Sequence, residues 1–227
     1  MDERKPLVSP LQQLEDPHSS PAKSLKMRHL IKVENAFARG KDAVLELAGR
    51  TFDDTTTDDL TGLFNRRVFF KLLSKIVLPR MRRMREKGEG PIVFGSLAVV
   101  DIDHFKQINE MYGHAGGDEV LRVLGTKVMR EFREDDVAGR TGGDELVIVA
   151  IGLLDDDVRE RMEELRFDFE NHPWELDRID DGQKPPIRPT FQYGVIEIDD
   201  PEQIGQLLHK ADRDVFDQKR DRRVRER

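Results

Sequence analysis

No cysteine occurs among the 227 residues, which leaves neither a disulfide framework nor a thiolate metal site to consider. That usage fits a reducing compartment. No apolar run approaches the roughly 20 residues that a membrane-spanning helix needs. Met1 to Asp16 is charged and lacks the apolar centre of a secretory signal. A cytoplasmic protein with no membrane partner is expected. Excess positive charge is lacking as well. Lys and Arg number 38 against 45 Asp and Glu, a net charge of −7, which argues against general nucleic-acid binding. No internal repeat is visible.

Hydrophobic and charged residues each make up 37% of the chain, a polar surface around a core of modest size, within the globular range. Basic residues cluster twice. Arg80, Arg82, Arg83, Arg85 and Lys87 form one group, which reads as a solvated helix face. Arg220, Arg222, Arg223, Arg225 and Arg227 form the other, near the C-terminus.

Four prolines with Ser and Asp predict a disordered leader over residues 1–23. Residues 24–57 predict an amphipathic helix and a hinge. Leu30, Phe37 and Val44 repeat every seven residues, with Val33 and Leu47 in the d-like places. Gly40 takes the intervening d-like place and weakens such a helix by about 1 kcal/mol relative to Ala. The stripe needs a partner, either its own domain or a second chain. Asp53 to Asp58 ends it.

From residue 58 to 227 helices and strands alternate. Asn65 to about Lys87 has helical spacing through Phe69, Leu72, Leu73 and Ile76. Ile92 to Ile102 is a near-continuous apolar run, as in a strand covered on both faces. Helical spacing returns from Asp118 to Phe132. Val137–Arg140 and Leu146–Ile151 read as a hairpin around Gly142 and Gly143. A helix follows through Val158 to Phe169, then a proline-rich loop over His172 to Pro189. A strand at Thr190 to Ile198 and a helix from Ile204 complete the order. The expected class is α+β, a mixed sheet flanked by helices, with an N-terminal helical extension.

Asp101 ends the apolar strand, and Asp144 and Glu145 sit at the glycine turn. Singly, each suits a turn. Two acidic clusters at the ends of core strands repel one another if they converge. A divalent cation relieves that repulsion, and Mg²⁺ takes one or two carboxylates together with phosphate oxygens and water. Gly142 and Gly143 lack Cβ atoms, so a nucleotide can approach the backbone. A Mg-nucleotide site and two ordinary turns both remain open on chemistry alone.

The motifs themselves go further. Asp58-Asp59-Leu60-Thr61-Gly62-Leu63-Phe64-Asn65-Arg66 resembles the DxLTGLxNR opening of GGDEF domains. Val100 to Asn109, with Asp101, Asp103, Phe105 and Lys106, resembles the metal strand of that family. Tyr112-Gly113-His114 through Gly117-Asp118 resembles its YGHxxGD segment, and Gly142-Gly143-Asp144-Glu145-Leu146 is similar to the naming motif. Ala211-Asp212, Lys219 and Arg223 resemble its closing segment. The order holds over about 170 residues, so the chain is identified as a member of the diguanylate cyclase family. The resemblance implies a palm-like, ferredoxin-like nucleotidyl-cyclase fold and the condensation of two GTP into cyclic di-GMP across a homodimer, with Mg²⁺ or Mn²⁺.

It also implies roles. Asp101, the Ile102 carbonyl and Asp144 would hold metal, and Glu145 would serve a second metal or help activate the attacking 3′-hydroxyl. Asn109 and Asp118 would read guanine, with His114 near the nucleotide. The Phe105 N–H, Lys106, Lys219 and Arg223 would meet phosphates. Gly142 and Gly143 would let the substrate close in. Arg133 and Asp136 form an RxxD pair at the spacing of the inhibitory product site. The departures are Leu146 for Phe, Phe216 for Tyr, Gln218 for Ala and Asp221-Arg222 ahead of Arg223, where Gly is usual. Tyr193 stands where Ser is usual. The alternative is a weak or inactive GGDEF domain serving as a cyclic di-GMP receptor.

Overall fold

The computed structural model describes residues 56–86, 93–133, 136–179 and 186–225. The leader and the seven-residue apolar repeat lie outside the described residues. The short strand β1, Phe64–Asn65, runs into helix α1, Arg66–Leu72. Asn65 caps that helix, its side chain accepting the Val68 N–H at 3.0 Å. The long helix expected over Asn65 to Lys87 is interrupted by a π-helical stretch, Leu73–Val77, before α2, Leu78–Glu86.

Strand β2, Gly95–Ile102, is the centre of the domain. It pairs antiparallel with β4, Glu145–Ile151, on one side and with β5, Phe191–Ile198, on the other. Strand β3, Val137–Arg140, pairs antiparallel with β4 and parallel with β1, which gives the order β1-β3-β4-β2-β5. The sheet is mixed, as expected. The family's palm-like arrangement of one sheet between helical layers is present.

Because strand side chains alternate between faces, β2 serves two cores. Ala98, Val100 and Ile102 join α3, Phe105–Glu131, and α4, Asp155–Glu170. Leu97 and Val99 join Phe69, Leu72 and Met81, together with Ala211 and Val215 of α5, Ile204–Arg225. This two-sided burial accounts for the lack of alternation in the Ile92 to Ile102 run. Leu146 is fully buried in the first core.

Helical spacing in the sequence begins at Asp118, whereas α3 begins at Phe105. Ile108, Met111 and Tyr112 already supply its buried face. Gly113 hides the continuity. At φ 71° and ψ 174° it kinks the helix, a conformation glycine tolerates. The described part of the His172 to Pro189 loop packs back on the helix: Tyr112 Oη accepts the Ile187 N–H at 3.2 Å, and the Ile179 N–H reaches the Met111 carbonyl at 2.9 Å. No helix among the described residues is long and apolar enough to cross a membrane.

The first basic group is only partly a solvated face. Arg82 pairs with Glu202 and Arg85 with Asp200, each at 2.5 Å, which ties α2 to the turn before α5.

Candidate functional site

Asp101 and Glu145 are direct cross-strand partners in the β2–β4 ladder. Such partners project from the same face, with Cβ atoms about 5 Å apart. The face is set by alternation: Val99 and Val147, two pairs along, lie in the core under α5. Asp144 sits in the turn between β3 and β4, and its carbonyl accepts the Ile102 N–H at 3.3 Å. The acidic residues singled out from sequence therefore converge at one end of the sheet.

That crowding has electrostatic consequences. Burial pushes the Asp101 carboxyl above its ordinary value, and the charges of Asp144 and Asp103 push it further, while Lys219 opposes them. Burial also raises Asp212, on α5, and the charge of Glu145 adds to the rise. Glu145 is held by the Thr141 hydroxyl, which donates to Oε1 at 2.5 Å.

Lys219 answers the negative charge. Its ammonium donates to Asp101 Oδ1 and, at 3.2 Å, to the Ile102 carbonyl. Among the described residues no three His, Cys, Asp or Glu side chains form a metal cage. The fit to a cation lies elsewhere: Asp101 Oδ1 and the Ile102 carbonyl already aim at one positive charge. A nucleotide-bound Mg²⁺ asks for little more, since phosphate and water complete its shell.

Beside these acids, α3 starts at Phe105, after His104 in the left-handed region at φ 56°. Phe105 opens that helix, and the first N–H groups of a helix lack intrahelical partners and favour anions. Lys106 points away: its side chain is 90% exposed and lies 3.8 Å from Glu110. Arg223 is carried on α5, but its side chain lies outside those described.

Across the kink, Asn109 lies against Gly117. A Cβ on Gly117 would stand 2.1 Å from Asn109 Oδ1. Asp118 is next in sequence and half-buried on α3. His114 is exposed beside the kink. Gly142 and Gly143 are exposed at the hairpin. A Cβ on Gly142 would crowd the Glu145 side chain at 3.1 Å, whereas Gly143 faces open space.

The RxxD pair lies elsewhere. Asp136 accepts the Arg133 N–H and the Ile151 N–H, both at 2.9 Å. Ile151 is the far end of β4 from Glu145, about 20 Å along the strand. Burial pushes the Asp136 carboxyl up to about 6, against the backbone donors and the charges of Arg161 and Arg133. A groove of about 330 Å³ opens here, lined by Met129, Phe132, Arg133 and Asp136 among others. Sequence reasoning gave no role to Arg161, which is 8% exposed and donates to the Glu131 carbonyl at 3.3 Å. Nor did it give one to Arg140, which bridges the Asp58 turn and Gly143. Their roles depend on partners distant in sequence, and no local motif marks them.

The family model described as "Diguanylate cyclase, GGDEF domain" matches residues 55–225. The chain is 31% identical over 164 residues to diguanylate cyclase DgcP of Pseudomonas aeruginosa, covering 72% of this chain and 22% of that protein. It is 29% identical over 223 residues to the response regulator PleD of Caulobacter vibrioides, covering 96% and 46%. The chain thus spans less than half the length of either relative. Among solved structures, the coiled coil and GGDEF domain of DgcB from Caulobacter crescentus, in complex with c-di-GMP, aligns with a TM-score of 0.61 at 26% identity, covering 84% of this chain and 92% of that one. The active GGEEF domain of a diguanylate cyclase from Vibrio cholerae aligns at 0.56 and 25%, covering 69% and 91%. With a family match that takes in most of its length and a sheet that gathers Asp101, Asp144 and Glu145 at one end, the chain belongs to the GGDEF diguanylate cyclase family.

Proposed function

We propose that the chain is an active diguanylate cyclase, condensing two GTP into cyclic di-GMP with release of two pyrophosphates. The observation that carries this reading is the convergence of Asp101, Asp144 and Glu145 at one end of the sheet, with two oxygens already directed at a cation. Asp101, the Ile102 carbonyl, Asp144 and Glu145 would hold a divalent ion, Mg²⁺ or Mn²⁺. Such an ion, when bound, stabilises the attacking and leaving oxygens of a phosphoryl displacement.

The chain's own residues do the rest. Asn109 and Asp118 orient guanine; a carboxylate accepts from the N1–H and the exocyclic amino group, which adenine does not present in that pattern. The α3 N-terminus, Lys219 and Arg223 position the phosphates, and Lys106 reaches them only by leaving Glu110. Glu145, steered by Thr141, accepts the proton of the attacking 3′-hydroxyl. Positioning and charge neutralisation dominate this chemistry. Each domain holds one GTP, so two domains must face each other as a homodimer, and the apolar repeat from Leu30 to Leu47 is the candidate for joining them. Consumption of GTP suits the cytoplasmic location expected from the sequence.

Product feedback through Arg133 and Asp136 accompanies this reading. The DgcB domain aligned above was solved in complex with c-di-GMP, and the RxxD turn here is held at the opposite end of β4 from Glu145. Incubating purified protein with Mg²⁺ and GTP, with products identified by mass spectrometry, should yield one cyclic di-GMP per two pyrophosphates. Tight binding of cyclic di-GMP without turnover would instead support the receptor reading.

A further inference from the structure

Lys219 stands where the site's own chemistry calls for a cation. Ala211 and Val215, eight and four residues before it on α5, are buried against the sheet. The same helical stripe therefore carries Lys219 to the sheet's end. There it meets Asp101 Oδ1 and the Ile102 carbonyl. Around it are Asp144 and Asp103, whose charges bear on Asp101, Glu145 across the ladder, and Asp212 beside Glu145. The lysine side chain is 20% exposed and its partner 31%. The pair is neither a solvated surface contact nor wholly sealed, so a long, rotatable ammonium can leave it.

Resting on the metal reading proposed above, we infer that Lys219 is the resident cation of the site: it holds the oxygens that a nucleotide-bound divalent ion takes and yields them when that ion arrives with a triphosphate. Metal then loads together with nucleotide rather than ahead of it. Free divalent ion has to displace a tethered positive charge and leaves that ammonium without a new partner. Ion carried on a triphosphate brings the anion that receives the displaced ammonium. Lys219 thereby has two partners in sequence, Asp101 first and phosphate second. It acts on metal loading as a positioning residue before it serves the substrate.

The test is Mn²⁺ binding to the full chain, followed by the electron paramagnetic resonance of free Mn²⁺, with no nucleotide present. Lys219→Met and Lys219→Gln should bind Mn²⁺ about 10- to 100-fold more tightly than the natural chain, the scale of one charge-assisted contact. The same variants should bind Mn²⁺ with the α,β-methylene analogue of GTP more weakly, because the phosphate contact is lost. A purely structural lysine would weaken both. Two variants guard against one failing to fold, and the thermal midpoint of each reports that. Unchanged or weaker affinity for bare Mn²⁺ in both variants overturns the inference; if the Mn²⁺-dependent binding of the analogue is still abolished by Asp101→Asn, the metal reading stands. Tightening that persists when Asp101→Asn is added to Lys219→Met places the metal elsewhere and overturns both.

Discussion

Arg140 ties the Asp58 turn to the hairpin that carries Asp144: Nη1 lies 3.0 Å and 3.2 Å from the two Asp58 carboxylate oxygens, and Nε and Nη2 donate to the Gly143 carbonyl at 3.1 and 2.6 Å. The guanidinium is 15% exposed on its side chain and Asp58 22%, so solvent screens the pair only in part. Arg140→Met should cost about 1–3 kcal/mol in urea unfolding, as expected for lost charge-assisted bonds, and should lower turnover by loosening the hairpin. A double-mutant cycle with Asp58→Asn should return a coupling energy of about 1 kcal/mol or more. Additive effects would mean the two residues act separately.

The same carboxylate predicts a pH dependence. Burial alone would raise Asp58, but the Thr61 N–H and hydroxyl and the Arg140 charge outweigh it and hold the group below its ordinary value of 3.8. A depressed folded-state value adds stability that is present above the unfolded value and lost as pH falls through the folded one. The difference in thermal midpoint between the natural chain and Asp58→Asn should be constant near neutrality and should close below about pH 4. A gap unchanged at pH 3 would contradict this account.

Gly117→Ala should injure substrate binding without touching substrate directly. The added methyl would stand 2.1 Å from Asn109 Oδ1 and 3.3 Å from the Phe105 ring. Asn109 must move, so KM for GTP should rise about tenfold or more, the scale of one misplaced hydrogen bond to a buried polar edge. In an open helix the same change favours stability. A KM equal to that of the natural chain would show that Asn109 is not set by this contact.

Asp144→Asn should abolish condensation while leaving the fold intact. Asp144 raises the Asp101 carboxyl through like-charge repulsion, so its neutralisation should leave the urea midpoint unchanged or slightly higher. Residual activity comparable to the natural chain would remove Asp144 from the metal site.

Arg133→Ala should relieve arrest by product. Charge-assisted bonds of this kind contribute roughly 1.5–3 kcal/mol, so product affinity should fall by about 10- to 150-fold, with little change in initial rate. Progress curves with and without added cyclic di-GMP decide it. Superimposable arrest in both proteins would make the RxxD pair a turn-closing device only, consistent with the backbone bonds Asp136 already accepts.

The order of motifs from Asp58 to Arg223 was legible in the sequence because each is a local pattern of chemistry-bearing residues. The central strand and the hairpin at Gly142 and Gly143 were legible too, since unbroken apolar runs and glycine turns are local signals. Helix α3 was missed before Asp118 because a kink at Gly113 breaks the spacing that periodicity relies on. Only the tertiary structure paired Asp101 with Glu145, because strand register depends on both strands. Only the packing of α5 on the sheet turned Lys219 toward Asp101, where the sequence suggested phosphate. Arg140 and Arg161 carried no motif, because each gains its meaning from partners that folding brings near. What local residues can do alone was written in the sequence, and which charges must share a space was decided by the fold.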